Sequence, residues 1–128
     1  MAVKALYKGV RMSPRKVSVV AALVRGRSVS DAVTILDHTP RRAAQAVKKA
    51  VVSAGANAEH NHNYKPDTLF ISEISVTPGV RYRRFRAAAR GRALRFARTT
   101  SNIRVLVDGE LRVIKKPTPK VKSMENDK

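Results

Sequence analysis

Eight arginines fall within residues 81–98, RYRRFRAAARGRALRFAR, with no acid and no lysine among them. A guanidinium is a planar fork that contacts phosphate through two N–H groups and stacks flat on bases and rings, whereas a lysine ammonium acts as a point charge. Such residues at this density suit a polyanion. A merely solvated charged face is the usual fate of a charge run. Here, however, like charges repel across a Debye length of about 8 Å, so a free arginine arm is destabilised unless something anionic lies against it.

The remaining reactive side chains make no comparable cluster. His60-Asn61-His62 spells a nuclease motif, but in such nucleases the three residues are spread along a ββα unit. Here they are consecutive beside Glu59 and read as a helix end, with Asn61 or Asn63 terminating it and no metal implied. Ser13 has no histidine near it in sequence, and helix capping accounts for it. Thr99, Thr100 and Ser101 suit both a strand and hydrogen bonds to phosphate. There is no paired-carboxylate arrangement for general acid–base work and no glycine loop for a nucleotide phosphate. The expectation is a protein that is not an enzyme and carries no cofactor.

The whole chain agrees with the arm. Its 128 residues favour one domain, and its formal net charge of +18 with a pI near 11.4 exceeds what solubility requires. Nucleic acid fits better than an anionic membrane, which calls for a basic helix with large apolar residues opposite. Cysteine is absent, which excludes disulfides and cysteine–zinc sites and suits a reducing compartment. The first residues, MAVKALYKGVRMS, carry no secretory pattern, and a soluble, intracellular (cytoplasmic) protein is expected.

Elements that position the arm can be read from periodicity. VKALYKGVRM, residues 3–12, alternates loosely as a strand. Ser13-Pro14 is an N-cap followed by a first-turn proline, and Val17, Val20, Ala21 and Val24 form an apolar stripe up to Gly26. A second helix starts at Ser28 or Ser30, burying Ala32, Val33 and Leu36. Thr39-Pro40 repeats the cap signal for the longest helix. There Ala43, Ala44, Val47, Ala50, Val51, Ala54 and Ala58 share one face, opposite Arg41, Arg42, Gln45, Lys48 and Lys49. Tyr64–Asp67 is a break. LFISEISV (69–76) reads as a strand with Phe70, Ile74 and Val76 inward. NIRVLV (102–107) reads as another, with Ile103, Val105 and Val107 inward.

Pairing those two strands as a hairpin puts the symmetry point near residue 89 or 90, inside AAARGR. The arginine run then becomes the distal part of an arm about a dozen residues long on each side, reaching roughly 40 Å at ~3.3 Å per residue. Ala87, Ala88, Ala89, Gly91 and Ala93 keep its tip slim. Asp108-Gly109 is a turn, and ELRVI offers a last short strand. From Lys115 the chain is lysine- and proline-rich without periodicity.

These residues resemble a known family. SPRKV at 13–17, the Arg25-Gly26 ending of the first helix, SAGANAEHN at 53–61 and ARGRALRFARTTSNI at 89–103 occur in the order and spacing of a bacterial large-subunit ribosomal protein, the universal family conventionally numbered twenty-two. The resemblance covers residues 3 to about 109. It implies an α+β fold, three helices packed on a small three-stranded antiparallel sheet with a long protruding β-hairpin. Residues 1–109 would form the single domain, the hairpin spanning about 77–103, with 110–128 a basic C-terminal extension that is disordered when free.

The resemblance further implies binding to large-subunit rRNA, a part in early subunit assembly, and a hairpin that lines the nascent-polypeptide exit tunnel. It also implies an association with responses to certain nascent peptides and with macrolide susceptibility through the tip. The implied tip is Ala87, Ala88, Ala89, Arg90, Gly91 and Arg92. Implied partners are rRNA, neighbouring ribosomal proteins including the loop of ribosomal protein four, and the nascent polypeptide, with no membrane and no homo-oligomer.

The family's hairpin pattern matches Arg84, Ala89, Arg90, Gly91, Arg92, Ala93, Arg95 and Arg98, and its first-helix motif matches Ser13, Pro14, Arg15 and Lys16; the charge of the run itself adds Arg81, Arg83 and Arg86 to the expected rRNA contacts. The flanking Arg11, Arg25, Arg27, Thr100 and Arg104 complete the set, and Lys115, Lys116, Lys120 and Lys122 would add peripheral phosphate contacts. Three residues depart from the family pattern: Ala87-Ala88 replaces the usual proline-arginine, and Asn102 the usual histidine. The rival reading is an architectural DNA-binding protein with a basic β-arm, which typically dimerises and wedges an apolar tip into the minor groove.

Overall fold

Alternation at the start of the chain builds β1 (Val3–Val10), which buries Val3, Ala5 and Val10. The computed structural model describes residues 2–112. Inward spacing along β1 breaks after Ala5, because the register shifts between Tyr7 and Val10. Gly9 takes φ +74° there, a left-handed conformation that glycine adopts freely, and its N–H donates to Asn102 Oδ1 at 3.0 Å.

Helix α1 (Pro14–Val24) buries the expected stripe of Val17, Val20, Ala21 and Val24. Ser13 stands at its N-cap, but the hydroxyl makes no capping bond; its carbonyl accepts from the Lys16 and Val17 N–H groups at 3.0 and 3.3 Å. In α2 (Val29–His38), Ser28 does cap, accepting from the Asp31 N–H at 3.1 Å, and Ala32 and Leu36 are buried while Val33 is only half-buried.

The long helix α3 (Arg42–His62) starts later than Thr39-Pro40 suggests. Thr39 instead closes α2: its N–H donates to Leu36 O at 3.3 Å and its hydroxyl to Ile35 O at 2.7 Å. The N-cap role falls to Arg41, which has no capping side chain. All seven expected inward residues of α3 are buried, and Asn63, with φ 54°, ends the helix in the left-handed conformation asparagine tolerates.

β2 (Phe70–Ala87) and β3 (Ala93–Asp108) complete an antiparallel sheet of order β1-β3-β2, with α1 and α3 packed against it and α2 packed on α3. Ile103, Val105 and Val107 are fully buried, as their alternation predicts. On β2 the inward residues are Ile71 and Ile74, with Val76 half-buried against the same core; Phe70 is 45% exposed, contrary to expectation. The cause is a bulge. Ile71 faces Val107 and Glu73 faces Leu106, so Ser72 is the extra residue and two inward side chains fall three apart instead of two.

The expected last strand reduces to one bridge between Leu111 and Tyr64, flanked by Lys65 N–H to Glu110 O at 2.9 Å and Arg112 N–H to Asn63 O at 2.7 Å. Val113 and Ile114, the four tail lysines and nearly all of the expected 110–128 extension lie outside the described residues. β1 covers β3 only as far as Ser101. Beyond that point β2 and β3 continue alone as a two-stranded ribbon, and its root frames the candidate site.

Candidate nucleic-acid interface

The ribbon keeps strict register from Arg81↔Thr99 to Ala87↔Ala93, so directly opposed residues share a face. One face carries the pairs Tyr82–Arg98, Arg84–Phe96 and Arg86–Leu94, each an arginine beside an apolar or aromatic residue. The other carries Arg81–Thr99, Arg83–Ala97, Phe85–Arg95 and Ala87–Ala93. All eight arm arginines are exposed.

Guanidinium groups sit close to the rings. On the first face Arg84 lies 5.8 Å from the Tyr82 centroid, and Arg86 and Arg98 each lie 5.7 Å from Phe96. On the second, Arg95 lies 6.0 Å from Phe85. These distances fall within cation–π range, worth roughly 0.5–1 kcal/mol at exposed sites. They orient the guanidinium planes without neutralising them. The ion pairs among the described residues are Asp37–Lys48, Glu59–Arg112 and Glu110–Lys65, all on the body.

The tip reverses through Ala89–Gly91. Ala88 N–H donates to Arg92 O at 2.8 Å, while Arg90 and Gly91 both take positive φ, 58° and 67°. Arg90 and Arg92 therefore project from a narrow turn whose other side chains are methyl groups or hydrogen.

The register also sorts the body residues. Arg11, Ser13, Arg15 and Lys16 follow the end of β1 that pairs with Ser101, so they lie at the root of the arm. Arg25 and Arg27 lie at the opposite end of the sheet, beyond α1, where Gly26 N–H donates to Ile71 O at 3.1 Å. Their side chains bond to carbonyls, Arg25 to Ile74 O at 3.3 Å and Arg27 to Leu23 O at 3.2 Å. Arg104 is exposed on the outer sheet face, between Leu6 and Ser75. Thr100 is buried, and its hydroxyl donates to Val80 O at 2.8 Å, so it shapes the root of the arm.

Sequence reasoning left out two cations that the fold brings to the same place. Arg42 and Lys49 of α3 join Arg11, Tyr7 and Gln45 around a recess of about 400 Å3 beside the Gly9 bulge. Both residues were legible as part of the polar face of α3; what periodicity did not supply was the neighbour of that face. Neither α1 nor α3 has an acid in its first turn. Arg15 and Lys16 instead stand at the positive end of α1, and Arg41 and Arg42 at that of α3. Cations there oppose the helix dipole by roughly 0.3–1 kcal/mol each. An external polyanion relieves that conflict. The interface assembled at the root and along the ribbon is built for one.

Comparison with known proteins gives the following. The family described as ribosomal protein L22p/L17e matches residues 5–108. The chain is 49% identical over 107 residues to the large ribosomal subunit protein uL22 of Oceanobacillus iheyensis, spanning 84% of this chain and 95% of that one. Proteins of the same name from Clostridium perfringens and Clostridium tetani are 47% and 45% identical over 107 residues, with 84% of this chain and 96% of each relative covered.

Proposed function

Because the chain belongs to the ribosomal protein L22p/L17e family, and so is a structural, non-enzymatic constituent of the large ribosomal subunit in the cytoplasmic ribosome, we propose that its arm binds large-subunit rRNA, supports subunit assembly and lines the nascent-polypeptide exit tunnel. The observation that carries this reading is the two-stranded ribbon itself. It holds eight exposed arginines with no acid along it, beyond the last residue that β1 supports.

An isolated two-stranded ribbon is marginal in water, and mutual repulsion among its guanidinium groups weakens it further. It becomes rigid when rRNA folds around it. Arg81, Arg83, Arg84, Arg86, Arg95 and Arg98 then bridge phosphates of segments that would otherwise repel one another. Arg11, Arg15, Lys16, Arg42 and Lys49 anchor the root. RNA shape and stacking supply the specificity, not a sequence code. The tip, Ala87 to Arg92, presents small residues and two arginines to the tunnel, to the loop of ribosomal protein four and to the passing polypeptide.

The DNA-bending alternative needs an apolar wedge at the tip. The exposed rings of this arm, Tyr82, Phe85 and Phe96, stand on its flanks instead. Sedimentation of lysate on a sucrose gradient after a high-salt wash tests the reading. Retention in the large-subunit peak is expected, since an arm locked inside folded RNA cannot leave by ion exchange alone. Release to the top of the gradient would make the chain a dissociable nucleic-acid binder.

A further inference from the structure

Between the arm and the body lies a recess whose chemistry exceeds what phosphate contact requires. It has a volume of about 660 Å3 and is lined by Arg11 after β1, Tyr82 and Arg84 of β2, and Phe96, Arg98 and Thr100 of β3. That size falls within the ~300–1,000 Å3 typical of sites for small molecular groups. Cations alone hold phosphate, and nothing in that task calls for aromatic rings. Yet Tyr82 and Phe96 stand 43% and 36% exposed, past the last β1 pair and outside the core.

Their placement is specific. Tyr82 faces Arg98, and Phe96 lies two residues from Arg98 on the same face, so the two rings occupy diagonal positions. The backbone positions of diagonal neighbours on an antiparallel pair are about 7–8 Å apart. A planar base between two rings needs about 3.5 Å of contact distance on each side, or about 7 Å in all. Arg84 and Arg98 already lie 5.8 and 5.7 Å from the Tyr82 and Phe96 centroids, so guanidinium planes border the same opening. The far face carries a recess of similar size, about 680 Å3, but no ring pair of that face lines it: Phe85 is opposed by Arg95, and the other apolar residues of that face are alanines.

We propose that this recess takes one unstacked nucleobase of rRNA, flat between Tyr82 and Phe96, with Arg11 and Arg98 on the flanking phosphates. This rests on the rRNA-binding reading above and adds base stacking to it. The two faces of the arm then divide the work. The recess face holds a base, and Arg81, Arg83 and Arg95 of the other face meet the sugar–phosphate backbone.

The test uses the full chain, a single-stranded adenosine octamer and an abasic ribose–phosphate octamer, with binding measured across a salt series. Tyr82→Leu and Phe96→Leu keep apolar bulk but remove the rings, and both sites lie outside the core, so thermal unfolding of the body should not change. Each substitution is expected to weaken binding of the adenosine octamer on the order of tenfold, the scale of one base–aromatic stack. The salt slope and abasic binding should be unchanged, and Phe96→Tyr should retain affinity. Unaltered affinity in both leucine variants, with the salt slope intact, overturns the base site and leaves rRNA binding standing. An equal loss on the abasic octamer overturns it too, since the rings would then only shape the arm. Absence of salt-dependent binding by the unsubstituted chain to either octamer would sink the rRNA reading and this proposal together.

Discussion

Substituting Gly79 by alanine should damage the root of the arm in a way that a second substitution repairs. A Cβ at Gly79 would lie 2.5 Å from Thr100 Oγ1 and 3.3 Å from Asn102 Oδ1. Contact at the first distance is prohibited, and threonine has few alternatives because its χ1 is stiff and the residue is 95% buried, with 5% of its surface accessible. Rotating the hydroxyl away breaks its 2.8 Å bond to Val80 O, a loss of about 0.5–1.5 kcal/mol. Forcing the added methyl into the packed root costs about 1–3 kcal/mol more. Gly79→Ala should therefore destabilise the free protein by about 2–4 kcal/mol, read as a shift in the urea midpoint at unchanged slope. Thr100→Ala alone should cost about 1 kcal/mol, the net worth of its hydrogen bond to Val80 O. The double variant should cost little more than Thr100→Ala, because the clashing atom is gone, giving a coupling of about 2–4 kcal/mol in the double-mutant cycle. A Gly79→Ala protein within about 0.5 kcal/mol of the original, or strict additivity of the two changes, would refute the steric account.

Three further outcomes are expected. If all eight arm arginines contact phosphate, log affinity for irregular RNA should fall with log salt at a slope near −6, at about −0.7 per contact, and Arg83→Gln with Arg95→Gln should make it shallower by about 1.4. Ser101 Oγ is fully buried with no partner among the described residues, so Ser101→Ala should be neutral or stabilise by up to about 1 kcal/mol in thermal unfolding; a marked loss would mean the hydroxyl is bonded. Asn102→Ala removes the acceptor of the Gly9 N–H, and should cost about 1 kcal/mol and speed amide exchange at Gly9.

Sequence periodicity served best where one rule acted alone. The stripes of α1 and α3 and the alternation at Ile103, Val105 and Val107 were readable because burial was the only demand on those positions. It failed where two elements competed for one residue. Thr39 carried the signature of a helix start, but the preceding helix needed a closing donor first. Phe70 reads as inward by alternation because the bulge at Ser72 leaves no mark in a two-residue period. The arm itself was legible from its arginines and from the symmetry about residue 90. The diagonal placing of Tyr82 and Phe96 was not, because it depends on pairing offsets introduced by the bulge at Ser72 and by the shift between Pro78 and Arg81. The gathering of Arg42 and Lys49 beside Arg11 depends likewise on packing between α3 and β1, which no local pattern encodes.

The absence of cysteine gives direct access to the central claim that the arm lies within folded rRNA. Ala89→Cys places a single thiol on the exposed tip turn, where the alanine side chain makes no hydrogen bond. The rate of labelling by a bulky polymer-linked maleimide is then measured on the free chain, on intact large subunits and on subunits treated with ribonuclease. The account predicts rapid labelling of the free chain, strong protection in intact subunits and recovery after ribonuclease. Labelling in intact subunits as fast as in the free chain would place the tip in open solvent and contradict the claim.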